Sequence, residues 1–261
     1  MRVPDDIEYA LSTVTSRLGA FAPRILWYPT VTSTNTVAAD LAEKGAAEGT
    51  IVVADAQSAG RGRHGRTWSS PAGAGLYMSF VLRPSRDQSA RVTIVAGVAM
   101  AEGIRAATGL VAQVKWPNDL YVGTRKVGGI LAESATARDG ASYVILGCGI
   151  NVRSSVYPPE IVMRATSIEA ELGRAIDRGP VFAECLVTLA NRYAEMRAGR
   201  FPEILDAWRA HVALTFGRAV EWDTSGAVRR GIAERVDDEG ALMVRTATGI
   251  ERVISGEVRW V

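Results

Sequence analysis

Between residues 51 and 152 the chain carries five apolar, strand-like runs, IVVAD (51–55), GLYMSFVL (75–82), AQVKW (112–116), KVGGILAES (126–134) and YVILGCGINV (143–152), the last three of them clustered and joined by short turns. Short turns join antiparallel neighbours, whereas a parallel pair needs a crossover of a dozen or more residues. The pattern therefore predicts an α+β chain built on a mixed sheet rather than a regular doubly wound one. Helical spacing surrounds these runs. Ile7, Leu11, Val14 and Leu18 recur on one face before Gly19, and a helix is expected to start near Thr34, with Ser33 or Thr34 as its N-cap, and to close at Gly45. A long apolar helix is expected over 89–108, and two more over about 181–198 and 202–214.

Near residue 217 the pattern changes. GRAVEWD, GAVRRGIAERVDD, GALMVRTA and GIERVIS are four short strand-like pieces separated by Gly- or Asp-rich turns. Such spacing predicts a small β-barrel of about 45 residues. A boundary near 215 follows, with one unit over 1–215 and another over 216–261. Apolar residues make up 48% of the chain, enough for a sizeable core.

Charge and cysteine usage exclude several classes. Thirty basic residues face 28 acidic ones, and a net charge of +2 exerts no bulk pull on nucleic acid or membranes. Two cysteines, Cys148 and Cys185, do not make a disulfide framework, so a reducing compartment is expected. With only two histidines beside them, a zinc site is not expected either. The opening MRVPDDIEYALSTV is acidic and lacks the apolar core of a signal peptide. No apolar run reaches the roughly 18–20 residues of a membrane span. The cytoplasm is the expected location. The 32 residues before Ser33 are too few for an additional DNA-binding helix-turn-helix module, so no DNA partner is expected.

The most informative stretch is QSAGRGRHGRTW (57–68), with three glycines, three arginines and a histidine within positions 60–66. Glycines let backbone approach a ligand, and successive N–H groups can form an anion-binding concavity. Arginines add fixed charge and fork-shaped donors suited to carboxylate and phosphate. Taken alone, the string also fits a solvated basic turn or an RNA-binding Gly-Arg segment. It is not a Walker loop, since GxxxxGK[ST] is absent, and although Gly60, Gly62 and Gly65 fall at GxGxxG spacing, the helix that a dinucleotide fingerprint must open is not expected after them.

Two further motifs follow. Lys115-Trp116-Pro117-Asn118-Asp119 ends a strand and begins a turn, and Lys126 precedes the apolar Val127-Gly128-Gly129-Ile130-Leu131. A lysine at the mouth of a Gly-interrupted strand fits a charge anchor for a ligand lying on the sheet, but also an exposed hairpin lysine. Gly147-Cys148-Gly149-Ile150-Asn151 is a third Gly-interrupted strand, in which Cys148 reads as a packing residue rather than a nucleophile.

In their order and spacing, Ser33-Thr34-Asn35, QSAGRGRHGRTW, KWPNDLYV (115–122), KVGGILAE (126–133) and GCGINV (147–152) resemble the biotin–protein ligase family, over about 30–172 and more loosely over the tail. The chain resembles the short, monofunctional kind without an N-terminal DNA-binding domain. The resemblance implies an α+β, mixed-sheet catalytic domain of the biotin/lipoate ligase type followed by a small SH3-like β-barrel. It implies an enzyme that forms biotinyl-5′-AMP from biotin and Mg-ATP and then passes biotin to a lysine of a biotin carboxyl carrier protein. ATP with Mg2+ and biotin are then substrates, with no tightly bound prosthetic group and no metal site of the protein's own. A monomer or weak homodimer is expected, with neither DNA nor a membrane as partner.

By position, the resemblance assigns Ser33, Thr34 and Asn35 to polar contacts in the biotin pocket and lays Gln57 against the bound biotin. Gly60, Arg61, Gly62 and Arg63 form the covering loop, with Arg63 near the carboxylate and α-phosphate. Lys126 holds the same acyl-phosphate oxygens, and Gly128 and Gly129 let the ligand lie on the strand. Trp68, Lys115, Asn118 and Asn151 surround the nucleotide. Physical reasoning supports cations at 63 and 126, because two anions must meet in the first step. His64 departs from an expected arginine. The loop 153–165, which should fold over the adenylate, has no tryptophan to stack on adenine, although Tyr157 and Met163 offer apolar surface. The alternatives are a lipoate–protein ligase and a nucleic-acid-binding module that uses the Gly-Arg loop.

Overall fold

The computed structural model describes residues 3–19, 23–138, 140–155, 157–212, 215–224, 227–254 and 256–261. In chain order its elements are α1 (Asp5–Val14), β1 (Arg24–Val31), α2 (Thr34–Glu43), β2 (Thr50–Gln57), β3 (Gly75–Leu82), α3 (Arg86–Ser89), α4 (Val92–Thr108), β4 (Gln113–Lys115), β5 (Asp119–Val122), β6 (Arg125–Thr136), β7 (Ser142–Asn151), α5 (Ile168–Leu172), α6 (Arg178–Arg197) and α7 (Phe201–Val212). The tail contributes β8 (Ala219–Thr224), β9 (Ala227–Val236), β10 (Leu242–Thr246), β11 (Gly249–Val253) and β12 (Val258–Trp260). The expected extension of the last helix to 214 lies outside the described residues.

The main sheet has seven strands in the order β1-β2-β3-β7-β6-β5-β4. Only β1 and β2 pair in parallel, with α2 as their crossover, and every other neighbour is antiparallel. This is the mixed α+β sheet that the short turns predict. Three strands escaped the sequence reading. β1, RILWYPTV, lies at the sheet edge, contains Pro29 and is largely exposed, so it lacks the apolar run that marks a central strand. β5 has four residues and sits inside what reads as a turn, and β12 has three.

The central strand β3 is buried along its whole length. Leu76, Met78, Phe80 and Leu82 join the core under α1, α4, α6 and α7, whereas Val81 joins a smaller cluster with Ala38 and Ala42 of α2. This is the period-two alternation of a strand covered on both faces. Close helix packing accounts for two glycines of α4. A Cβ on Gly103 would lie 2.6 Å from the Cys185 Cα, and one on Gly97 would strike the Trp208 ring.

The tail forms a five-stranded antiparallel sheet in the order β11-β10-β9-β8-β12. Its Val220, Trp222, Leu242, Val244 and Val258 share one continuous core with the main sheet's helices. The Trp116 indole N–H donates to the Gly240 carbonyl at 3.0 Å, which pins the end of β4 to this second sheet.

Candidate active site

The N-terminus of α2 and the end of β2 build the floor of a cleft. Ser33 occupies the N-cap position, but its side chain makes no capping hydrogen bond. The first-turn N–H of Thr34 donates instead to Gln57 Oε1 at 2.8 Å, and the Thr34 hydroxyl lies 3.1 Å from the same oxygen. A helix-end donor that has no partner within its own helix is thereby satisfied. Gln57 Nε2 donates to Ser70 Oγ at 2.8 Å. Asn35 is buried, accepts from Ser79 Oγ at 2.6 Å and donates to Glu133 Oε2 at 2.8 Å.

The segment 58–68 leaves β2 as a small hairpin. Trp68 N–H donates to the Gly60 carbonyl at 2.8 Å, and Gly62 N–H to the Arg66 carbonyl at 2.7 Å. The tip turns through His64 at φ 55° and Gly65 at φ 73°. Histidine tolerates this left-handed region better than most residues, so the departure from arginine at 64 is compatible with the turn. A Cβ on Gly60 would lie 2.8 Å from Ser70 Oγ and would also clash with the Trp68 carbonyl, so the hairpin base itself demands this glycine.

Glycines in the facing strands serve close approach. The Trp68 ring lies over Gly149 and Gly129: a Cβ on Gly149 would be 2.6 Å from the indole nitrogen, and one on Gly129 3.3 Å from Cζ3. A Cβ on Gly147 would land on Asn35 Oδ1. The indole N–H of Trp68 is buried without a hydrogen-bond partner. Cys148 also lines the cleft, but burial pushes its thiol far up, away from the thiolate needed for nucleophilic attack.

The cations around the cleft fall into two sets. Arg61 pairs with Glu133 at 2.5 Å, Lys126 pairs with Asp119 at 2.7 Å, and Arg66 pairs with Glu257 of the tail. Arg63 and Lys115 make no ion pair among the described residues. Arg63 donates to Asn118 Oδ1 at 3.1 Å, and Asn118 Nδ2 donates in turn to the Ile130 carbonyl at 2.7 Å. Lys115 Nζ sits 4.8 Å from the Trp260 ring centroid and 5.6 Å from that of Tyr121. Burial lowers the pKa of both side chains below the ordinary value, the direction expected of cations held out of water. Two desolvated cations facing one cleft form a site suited to an anion.

The cleft thus gathers Ser33, Thr34, Asn35, Gln57, Arg61, Gly62, Arg63, Trp68, Lys115, Asn118, Lys126 and Gly129 from among the residues singled out in the sequence. Three stand apart. Gly60 faces a neighbouring groove beside Tyr157 and Pro158, and Gly128 packs against Leu120 and the Gly149 carbonyl. Asn151 Nδ2 donates to the Thr166 carbonyl at 2.9 Å, a carbonyl that Tyr157 Oη also reaches at 3.1 Å. Both side chains therefore hold down the end of loop 153–165, of which Val156 lies outside the described residues. Arg164 and Thr166 bond the backbone of Lys126, so this loop is anchored beside that lysine. Met163 points to solvent.

The sequence reading missed Glu133, Asp119 and Glu257. The first two lie inside motifs already singled out, as the carboxylates that partner their arginine and lysine. Glu257 comes from a tail strand region with no motif to mark it. Among the described residues no cluster of His, Cys, Asp and Glu is arranged to hold a metal ion.

Comparison with known proteins agrees with this geometry. Residues 27–151 match the biotin/lipoate A/B protein ligase family model, and residues 215–259 match the biotin protein ligase C-terminal domain. The chain belongs to the biotin/lipoate A/B protein ligase family. It is 37% identical over 238 residues to the bifunctional ligase/repressor BirA of Bacillus spizizenii, covering 90% of this chain and 73% of that protein. It is 34% identical to the biotin–[acetyl-CoA-carboxylase] ligase of Paracoccus denitrificans, covering 87% of this chain and 96% of that protein. The solved biotin protein ligase of Aquifex aeolicus in complex with biotin and ATP superposes with a TM-score of 0.79 at 30% identity, covering 91% and 98% of the two chains.

Proposed function

We propose that the chain is a biotin–protein ligase that makes biotinyl-5′-AMP and transfers biotin to a lysine of a biotin carboxyl carrier domain. The observation that carries this reading is the pair of half-buried cations, Arg63 and Lys115, which face the cleft with no carboxylate in ion-pair contact among the described residues, next to the polar floor of Thr34, Asn35 and Gln57. In the first step a biotin carboxylate oxygen bonds to the α-phosphorus of Mg-ATP, the bond to the β-phosphate oxygen breaks, and pyrophosphate leaves. In the second step a neutral carrier amine attacks the acyl carbon, the bond to the phosphate oxygen breaks, AMP leaves and the amine gives up a proton.

Ser33, Thr34, Asn35 and Gln57 seat biotin, the hairpin with Arg61, Gly62 and Arg63 covers it, and Arg63 with Lys126 stabilises the charge where the two anions meet. A carboxylate is already ionised near neutral pH, so the first step needs no protein base. Trp68, Lys115 and Asn118 surround the nucleotide, and Asn151, expected beside them, instead holds the end of loop 153–165 through the Thr166 carbonyl. Mg2+ would arrive on ATP, held by its phosphates with water completing the coordination. We assign residues 1–215 to the catalytic unit and 216–261 to the tail barrel, and expect a cytoplasmic monomer or weak homodimer without specific duplex DNA binding.

The nucleic-acid alternative needs the basic run to be free for phosphates. Arg61 and Arg66 are instead engaged by Glu133 and Glu257. The lipoate alternative is decided by ATP–pyrophosphate exchange. Biotin should drive the exchange and lipoate should leave it at background. Exchange driven by lipoate alone would reassign the substrate.

A further inference from the structure

The polar groups of the cleft floor and the Gly-Arg hairpin form one closed circuit. On one arm the Ser70 hydroxyl donates to the Trp68 carbonyl at 3.1 Å and accepts from Gln57 Nε2 at 2.8 Å, and Gln57 Oε1 accepts from Thr34. Ser79 Oγ lies 2.8 Å from Thr34 Oγ1 and donates to Asn35 Oδ1 at 2.6 Å. On the other arm Asn35 Nδ2 donates to Glu133 Oε2 at 2.8 Å, and Glu133 Oε1 accepts from Arg61 Nη2 at 2.5 Å. Arg61 and Trp68 flank the hairpin base, where Trp68 N–H donates to the Gly60 carbonyl. Each arm thus starts at the hairpin, and the two meet at Ser79 under the floor.

Glu133 is the one carboxylate in this circuit and does not line the cleft. One oxygen holds the hairpin through Arg61 and the other holds the buried floor through Asn35. The ion pair alone is a weak fastening, since the Arg61 and Glu133 side chains are 47% and 35% exposed and exposed pairs contribute little. The grip on two partners is what sets geometry. Asn35 cannot yield toward the sheet, because Gly147 leaves no room beyond its own missing side chain. A carboxylate only accepts hydrogen bonds, so the Asn35 amide keeps one orientation, nitrogen toward Glu133 and oxygen toward Ser79.

We propose that Glu133 is a positioning residue for adenylation: it sets the hairpin over the biotin seat by holding Arg61 against Asn35. Arg61 then acts through Glu133 as the hairpin's anchor, while Arg63 faces the ligand. This rests on the proposed biotin seat.

Single-turnover adenylation by the full chain over a range of biotin concentrations tests it. Glu133→Ala should raise the KM for biotin about tenfold or more, the loss expected for a hydrogen bond to a charged group, while the rate at saturating biotin stays within about threefold. Glu133→Gln, which keeps an acceptor for Asn35 but no charge for Arg61, should fall between wild type and Glu133→Ala. Adding Arg61→Ala to Glu133→Ala should cause no further rise, because the two act as one unit. Amides of 60–68 should exchange faster in Glu133→Ala while those of the β6–β7 ladder keep their protection. An unchanged KM in Glu133→Ala, a lower melting temperature without a change in KM, or additive effects of the two variants would overturn the proposal. Gln57→Leu touches the seat without touching Glu133. An unchanged biotin KM there defeats the seat, whereas an unchanged KM confined to Glu133→Ala defeats the positioning role alone.

Discussion

Lys126→Ala is expected to slow the formation of biotinyl-AMP by about 10²–10³, the usual loss on removing one preorganised charge donor. Lys126 stands at the start of β6, its ammonium is fixed 2.7 Å from Asp119, and it lies over the Trp68 ring with Nζ 5.2 Å from the centroid. The backbone of loop 164–166 clasps the same residue on both sides. A cation held by so many partners loses little freedom when an anion arrives, which is what electrostatic preorganisation requires. Its stabilisation should grow as carboxylate and α-phosphate converge, and this appears in rate rather than in binding alone. The transfer step begins from a finished adenylate and a neutral amine, so transfer from supplied biotinyl-AMP should fall less. An exposed hairpin lysine would leave both steps near wild type. Adenylation by a folded Lys126→Ala protein within about threefold of wild type would remove Lys126 from the mechanism, since that is far short of the expected loss.

Arg178→Met is expected to cost about 3 kcal/mol of stability, at the low end of the roughly 3–5 kcal/mol for breaking a buried ion pair from one side. Arg178 begins α6, is 8% exposed, and its guanidinium reaches Asp55 at 2.6 Å and the Gly75 carbonyl at 3.4 Å. It thereby ties the helical layer to the end of β2, two residues before Gln57, and to the first residue of β3. Methionine keeps apolar packing near Trp27 but strands the Asp55 carboxylate, whose 28% exposure limits the loss. The melting temperature should drop by roughly 6–10 °C for a chain of this size. Arg178→Met with Asp55→Leu should recover much of that, because an apolar pair of similar volume often replaces a buried ion pair without loss. A double variant as unstable as the single one would show that packing, and not the stranded charge, sets the cost.

Much of the architecture is legible in residue order. GLYMSFVL is a strand at the limits it suggests, because an almost wholly apolar run of eight residues, broken only by Ser79, is best covered on both faces. The Gly-Arg hairpin marks itself by its glycines and arginines, whereas Ser33–Asn35 and Lys126 were marked as site positions only by the family resemblance, Lys126 by itself reading as an exposed hairpin lysine. Residues whose importance lies in a long-range partner were not legible. Glu133 meets Asn35 from 98 positions away, and Glu257 meets Arg66 from 191, and no local period encodes either meeting. The glycines illustrate the same point. Their spacing foretold a close approach, but Gly149 and Gly147 receive the Trp68 ring and the Asn35 amide, protein groups supplied by distant segments. β1 was hidden for a different reason: an edge strand with a proline and an exposed face carries none of the patterning that burial imposes.

Catalysis of both half-reactions in this one cleft is tested most directly by incubating the full chain with biotin, Mg-ATP and a biotin carboxyl carrier domain and probing the carrier with streptavidin. The carrier should be labelled only when ATP is present, with pyrophosphate released in step, and a carrier whose acceptor lysine is changed to arginine should stay unlabelled. A folded protein that releases no pyrophosphate with biotin and leaves the carrier unlabelled would contradict the account.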